Sequence, residues 1–275
     1  MNDSKSGNFD KHGLPLYLDM QADLGYTKHI GGLTATQQLL DLCQISADKS
    51  LLNVGCGAGG AITYIAENYR CSVTGVDLKY NMLTSALKWA ERKGVLARQA
   101  FSTANAQWLP FADGSFDIVI CESVNIFVPD RLQAIREYIR VTKPGGYVGL
   151  DEPILLGDPT PQITAALAKV VGHALEPPKL WENLLEAGGL TNLSKNTFSV
   201  DMRSESRNQM GFFSLSDYLR LIGTIIRSFI FSPYTRNLIK DATAASPSEY
   251  MRYMGYGLFV GQKAVCSNQT RPPSI

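Results

Sequence analysis

The stretch Leu51-Leu52-Asn53-Val54-Gly55-Cys56-Gly57-Ala58-Gly59-Gly60 decides how the rest of the chain is read. A short apolar run stops at clustered glycines, and Ile62, Ile65 and Ala66 then recur at helical spacing. That order reads as a buried strand, a tight turn and a helix. Glycines in such a turn let the backbone bend sharply and approach a ligand without a Cβ in the way. The helix beyond offers free N–H groups to an anion or a carboxylate. Asp77 follows 22 residues after Gly55, at the end of the β-branched stretch 71–76, a second strand. An acidic side chain at that offset suits a two-pronged grip on ribose hydroxyls. A bare glycine loop is an ordinary turn; loop, strand context and Asp77 together read as a nucleoside site.

The alternation continues outward. Leu39, Leu40, Leu42 and Cys43 mark a helix ahead of the first strand, and Met82, Leu83, Ala86, Leu87 and Ala90 line a helix stopped by Gly94. Residues 98–104 read as a weak third strand and 117–121 as a strong fourth. Residues 131–141 follow as a helix broken by Pro144-Gly145-Gly146, and 147–150 as a fifth strand. Strands alternating with helices of roughly 10 to 15 residues imply βαβ units, so the fold class is α/β, a parallel sheet with helices on both faces. Beyond Leu150 the rhythm changes. An inserted helix is expected at 159–175, a core helix at 179–187 and a strand at 190–200. A second, mostly helical insertion at 202–254 precedes a last strand at 257–263. Without an internal repeat or linker, residues 1–275 are expected to form one domain. Its parts are an N-terminal lid (1–50), a cofactor-binding core (51–155), inserted helices (about 156–178 and 202–254) and a final strand (255–265).

Composition excludes several classes. The 275 residues carry 26 Lys plus Arg against 25 Asp plus Glu, a net charge of +1. No global basic field is therefore available for nucleic acid. No apolar run reaches the roughly 20 residues of a membrane span, and the polar N-terminus lacks a signal peptide's apolar stretch. Cys43, Cys56, Cys71, Cys121 and Cys266 show neither CxxC pairs nor metal-ligand spacing. Reduced thiols in a cytoplasmic enzyme are expected, and no metal site.

Three further motifs occur in order: Asn105-Ala106-Gln107-Trp108-Leu109-Pro110-Phe111, Asp113-Gly114-Ser115-Phe116-Asp117 and Lys143-Pro144-Gly145-Gly146. With the glycine loop they resemble the class I S-adenosylmethionine (SAM) dependent methyltransferases, closely over 51–150 and less closely in the final strand. The dinucleotide pattern Gly-x-Gly-x-x-Gly is met only loosely, which leaves a nicotinamide oxidoreductase as the outsider. The resemblance implies a Rossmann-like seven-stranded sheet whose last strand is antiparallel, with SAM as cofactor. It places Gly55, Cys56, Gly57 and Gly59 against the methionine part, Asp77 on the ribose and Asn105 on the adenine amino group. Leu78 and Ala106 would lie beside the adenine. Two positions depart from the pattern, Asn53 and Asn105, where many relatives carry Asp. An Asn carbonyl still accepts a hydrogen bond, whereas Asn53 removes a negative charge near the sulfonium.

Motifs fix the cofactor more than the acceptor. Cys121-Glu122-Ser123-Val124-Asn125, with Pro129-Asp130 beyond, is similar to the Glu-Ser segment of tocopherol and sterol C-methyltransferases, but lacks the His that many of them carry. Glu122 is a candidate general base, a holder of the methionine amino group, or an acceptor for local backbone donors. Asp151-Glu152 is either a solvated pair or a substrate-orienting one. Relatives fold the N-terminal segment over SAM, which implies cofactor contact for Tyr26 and makes His29 a second candidate base beside a structural role. His12 reads as loosely held, and His173 as surface or acceptor pocket. Leu215, Tyr218, Leu219, Ile222, Ile225, Ile226 and Phe229 form a wide apolar helical face, thickened by Phe212, Phe213, Ile230 and Phe231. Such a face is expected to be buried, in a lid or a homo-oligomer contact, or set on a membrane surface; Arg220 and Arg227 bar a span. The expected activity is methylation of a small hydrophobic molecule, preferably C-methylation of a prenyl, alkene or electron-rich aromatic acceptor. O- or N-methylation of a secondary metabolite, and a non-catalytic SAM-binding scaffold, are the alternatives.

Overall fold

The computed structural model describes residues 17–200, 202–231 and 248–265. His12, Cys266 and residues 232–247 of the second insertion therefore lie outside the described residues. Seven strands form one sheet: β1 (Ser50–Val54), β2 (Ser72–Asp77), β3 (Gln99–Thr103), β4 (Phe116–Glu122), β5 (Thr142–Leu155), β6 (Leu190–Ser199) and β7 (Met254–Lys263). Their order is β3-β2-β1-β4-β5-β7-β6. β1 to β5 run parallel, and β7 lies antiparallel to both β5 and β6. The chain winds outward from β1 to β3, then returns to place β4 on the other side of β1. That reversal splays the connections leaving β1 and β4 and opens a crevice at their C-terminal ends.

Alternating side chains of the central strands build two cores. Leu51 and Ile118 pack with α2 (Gly32–Leu42), α3 (Gly60–Asn68) and α4 (Tyr80–Lys93) on one face. Leu52 and Val119 pack on the other with α5 (Arg131–Val141) and α7 (Pro178–Gly188). The Asp130 carboxylate accepts from Gln133 N at 2.9 Å and starts α5, a side-chain cap of the usual kind. α6 (Pro161–Val171) is the first inserted helix, and α8 (Met202–Met210) and α9 (Leu215–Phe231) form the second insertion. α1 (Tyr17–Leu24) rests on α4, and α8 on α2. No helix of the described residues is long and apolar enough to cross a membrane.

One expectation is corrected. The fifth strand extends well past 147–150. Its pairing with β4 steps from Phe116↔Thr142 to Ile118↔Tyr147, so Pro144-Gly145-Gly146 bulges out without ending it. On the far side β7 pairs residue for residue from Asp151↔Leu258 to Leu155↔Met254, a partner about a hundred residues away that local pattern does not show. Asp151 and Glu152 are consequently fully buried, not solvated. A separate finding concerns the apolar face of α9. Leu215, Leu219 and Ile226 are 75, 61 and 54% exposed, so the described residues leave these three side chains largely uncovered. The helix leans on the body by its polar side, where Asp217 meets Lys93 Nζ at 2.9 Å.

Phe259 on β7 is fully buried between the antiparallel strands and α7. Phe259→Ala should cost about 3–5 kcal/mol, read as a lower urea midpoint with an unchanged slope. A loss below about 1 kcal/mol would mean that the β7 side of the core is not close-packed.

Candidate active site

The crevice holds a cavity of about 480 Å³. Of the expected site residues, Gly55, Cys56, Gly57, Asp77, Leu78, Asn105, Ala106, Glu122, Tyr26 and His29 all line it. Gly59 does not. It has φ +93°, and a Cβ there would stand 2.7 Å from Ala86 Cβ, so its role is to let the α3 N-terminus close on α4. Gly55 and Gly57 are also left-handed, with φ +74° and +53°; a Cβ would run into Val124 at the first and Thr27 at the second. The Thr27 hydroxyl in turn accepts from Ala58 N, so the segment between α1 and α2 is pinned to the loop.

Asp77 organises this end. Its Oδ2 accepts from Gly57 N at 2.9 Å and its Oδ1 from Lys79 N at 2.9 Å. Burial pulls its pKa above the ordinary carboxylate value, and those backbone donors pull against the rise. A carboxylate has about four lone-pair sites, so acceptor capacity remains for a ligand in the cavity. Asn105 closes a tight turn: its Oδ1 accepts from Gln107 N at 3.0 Å. One lone pair and both amide hydrogens are left over. The carbonyl assigned to adenine from sequence is thus partly committed to the backbone.

The far end is acidic. Glu122 Oε1 accepts from Thr36 Oγ1 at 2.6 Å and Oε2 from Asn53 Nδ2 at 3.1 Å. Asn53 therefore does more than delete a charge: it fixes a carboxylate on the neighbouring strand. His29 Nε2 lies 3.0 Å from Gly32 O, 3.1 Å from Thr36 Oγ1 and 3.6 Å from Glu122 Oε1. The Thr36 proton is spent on Glu122, so both close neighbours of Nε2 can only accept. A neutral His29 then carries its proton on Nε2 and keeps a lone pair on Nδ1. Ser123, beside Glu122, is held at φ +57°, backbone strain of the sort found at functional sites. Its Oγ accepts from Ile30 N at 3.1 Å, tying the strand end to the N-terminal segment.

Behind Glu122 neither Asp151 oxygen has a hydrogen-bond partner among the described residues. Burial, then the charges of Glu122, Glu152 and Glu205, push this carboxyl well above its ordinary value. Glu152 Oε1 accepts from Asn125 N and Nδ2, both at 2.9 Å. Glu205, on α8, accepts from Gly31 N at 3.0 Å and Gln209 Nε2 at 2.8 Å, and Gln209 Oε1 accepts from the Tyr26 hydroxyl at 2.8 Å. Glu205, Phe212 and Met254 line the cavity. The second insertion thus supplies part of the cavity wall, through Glu205 on α8 and Phe212 just beyond it. Sequence reasoning missed Thr27, Thr36, Glu205 and Gln209. The available signal was a Glu and a Gln four residues apart in an insertion of otherwise surface character. His173 is exposed and outside the cavity, its ring centroid 6.1 Å from that of Phe127.

A Rossmann-like sheet with an antiparallel last strand, a glycine turn after β1 and an acidic end to β2 defines the methyltransferase class of fold. The family described as "Methyltransferase domain" matches residues 52–150. An uncharacterised protein of Haemophilus influenzae is 34% identical over 186 residues, covering 66% of this chain and 73% of its own. Methyltransferase GfsG of Streptomyces halstedii is 31% identical, covering 60% of this chain and 63% of its own length. The crystal structure of the [4+2]-cyclase SpnF matches with TM-score 0.73 at 20% identity, over 96% of this chain and 100% of the other. A Haemonchus contortus phosphoethanolamine N-methyltransferase 2, solved with S-adenosylhomocysteine, matches with TM-score 0.69 at 18% identity, over 90% and 57%. Residues 52–150 thus form a methyltransferase-family domain, and the chain has the fold of the class I SAM-dependent methyltransferases.

The buried carboxyls give the fold a characteristic pH response. Burial pushes Glu152 up from 4.5 to about 7, against the Asn125 bonds. The folded chain then holds this proton more tightly than the unfolded one. Its stabilisation is whole below about 4.5 and falls away as pH climbs to about 7. Urea midpoints should drop across that window, and Glu152→Gln should flatten the profile. The same slope in the variant would remove Glu152 as its cause.

Proposed function

We propose that this chain transfers the methyl group of SAM to a carbon of a hydrophobic small molecule, an alkene or an electron-rich ring. The observation that carries the reading is the composition of the cavity beyond the glycine loop. Glu122 and Glu205 line it without a Lys or Arg partner among the described residues, next to Ile126, Phe127, Val128, Val171 and Phe212. Apolar walls select an apolar acceptor. Unpaired carboxyl groups and aromatic rings favour a positive charge that develops as the acceptor reacts.

The residues present fit the cofactor. Left-handed Gly55 and Gly57 leave a cradle that a Cβ could not share with Val124 and Thr27, and Asp77 retains acceptor sites on the cavity side. In this reading Asp77 holds the ribose hydroxyls, Leu78 and Ala106 flank the adenine, and Asn105 hydrogen-bonds its edge. Gly55, Cys56 and Gly57 cradle the methionine portion, and Tyr26 closes over it from the N-terminal segment. SAM supplies an electrophilic methyl on a positively charged sulfur. The chain's own task is to align the acceptor and exclude water. A π-electron pair of the acceptor would form the new C–C bond as the methyl–sulfur bond breaks with its electrons going to sulfur, leaving a carbocation on the acceptor; loss of an adjacent proton would restore the double bond or ring. His29 Nδ1 receives that proton, and Glu122, 3.6 Å from Nε2, stabilises the resulting imidazolium. An amine acceptor is the second reading, favoured by the same unpaired carboxyls; the position of a labelled methyl group in the product separates the two.

Asp77→Ala should weaken SAM binding by about 1.5–3 kcal/mol, the range for hydrogen bonds to a charged group. Calorimetry giving an unchanged affinity would take Asp77 off the ribose. Glu122→Gln and His29→Ala should each bind SAM almost normally and lose about 10²–10⁴-fold in turnover. If either loses SAM binding with its fold intact, that residue belongs to the cofactor's surroundings and not to proton transfer.

A further inference from the structure

A second cavity, of about 230 Å³, lies where α9 crosses α4 and the end of α1. It falls between two helix faces. Ser85, Lys88, Trp89 and Arg92 project from α4, and Asp217, Arg220, Leu221 and Thr224 from α9, with Phe213 and Leu24 at the ends. The spacing of each set puts its members on one side of its helix.

Charge around this space is unbalanced. Asp217 is spent on Lys93 at 2.9 Å and on the Ser214 hydroxyl at 2.5 Å. No side-chain hydrogen bond or ion pair engages Lys88, Arg92 or Arg220 among the described residues. Trp89, 3% exposed, adds a buried donor: its indole N–H has no acceptor among the described residues. The benzo edge of that indole lies against Gly60 in the wall of the main cavity, where a Cβ would be 3.6 Å from Cη2 and Cζ3. A buried N–H without a partner is costly, and three cations left unpaired around one concavity repel one another.

We propose that this cavity binds a phosphoryl group, a phosphate or diphosphate carried on a larger molecule. Such a group has enough oxygens to meet a lysine and two guanidinium forks at once. The site is separate from methyl transfer, and Trp89 is the wall between the two cavities. Its ligand is either a soluble phosphate ester or an anionic lipid headgroup; these share the chemistry and differ in source.

Two arms of one experiment distinguish the sources on the full chain. Inorganic pyrophosphate is titrated calorimetrically, and vesicles of phosphatidylglycerol or of phosphatidylcholine are co-sedimented with the protein. Each is repeated with a variant combining Lys88→Gln, Arg92→Gln and Arg220→Gln. Saturable one-to-one pyrophosphate binding, weakened at least tenfold in the triple variant, supports the site with a soluble ligand. Sedimentation with phosphatidylglycerol alone, lost in the triple variant, supports it with a lipid headgroup. The proposal is overturned if neither probe binds up to millimolar concentration, or if binding survives the triple substitution undiminished. Circular dichroism melts of the variant, whose substituted Lys and Arg side chains are exposed, identify a loss that reflects unfolding. A folded variant with SAM affinity intact but no pyrophosphate response keeps this test independent of the reading of the main cavity.

Discussion

Two backbone N–H groups, from Gly57 and Lys79, converge on the carboxylate of Asp77, and the shape of the main cavity depends on that convergence. It joins the turn after β1 to the end of β2, so the glycine loop cannot relax away from the sheet. Hydrogen bonds to a charged acceptor are among the stronger ones a chain can make. They also hold a buried carboxylate in place with acceptor sites to spare. Gly55 and Gly57 complete the arrangement by taking backbone conformations and close approaches that a side chain would forbid. Thr27 then couples the N-terminal segment to the loop, so the wall and what covers it form one connected structure.

The opposite end is built on a different compromise. Glu122, Asp151, Glu152 and Glu205 are all buried, and no Lys or Arg pairs with them among the described residues. Taking carboxyl groups out of water without counter-charge favours their neutral forms, which the upward shifts of Asp151 and Glu152 express. A sequence selected for stability alone would fill this space with apolar side chains. Retaining carboxyl groups at the C-terminal edge of the sheet, beside a strained Ser123 and His29, is intelligible as preparation for a positive charge arriving in the cavity.

Much of this was legible in the residue order, and the reasons are physical. The strand, glycine turn and helix from Leu51 to Ala66 show themselves through periodicity over a few residues. Asp77 follows from a fixed chain offset between neighbouring βα units. The extension of β5 was not legible, because the pairing that makes it a strand belongs to β7. Thr36 and Asn53 meet on Glu122 from an N-terminal helix and a neighbouring strand, and no local pattern announces such a meeting. Gly59, which packs against α4 and does not line the cavity, was not separable from its neighbours for a related reason: a glycine that permits ligand approach and one that permits helix approach look identical in sequence. The amphipathic pattern of α9 was read correctly as a helix, but periodicity reports that two faces differ, not which of them the protein covers.

A crystal structure of the chain with S-adenosylhomocysteine tests the central claim most directly, that one cavity joins a nucleoside end at Asp77 to an acidic acceptor end at Glu122 and His29. The account predicts ribose hydroxyls on the Asp77 carboxylate and homocysteine along Gly55 to Gly57. The open side of the sulfur should face the space between His29, Glu122 and Phe212. A ligand bound elsewhere, or one whose sulfur faces away from Glu122 and His29, would contradict it.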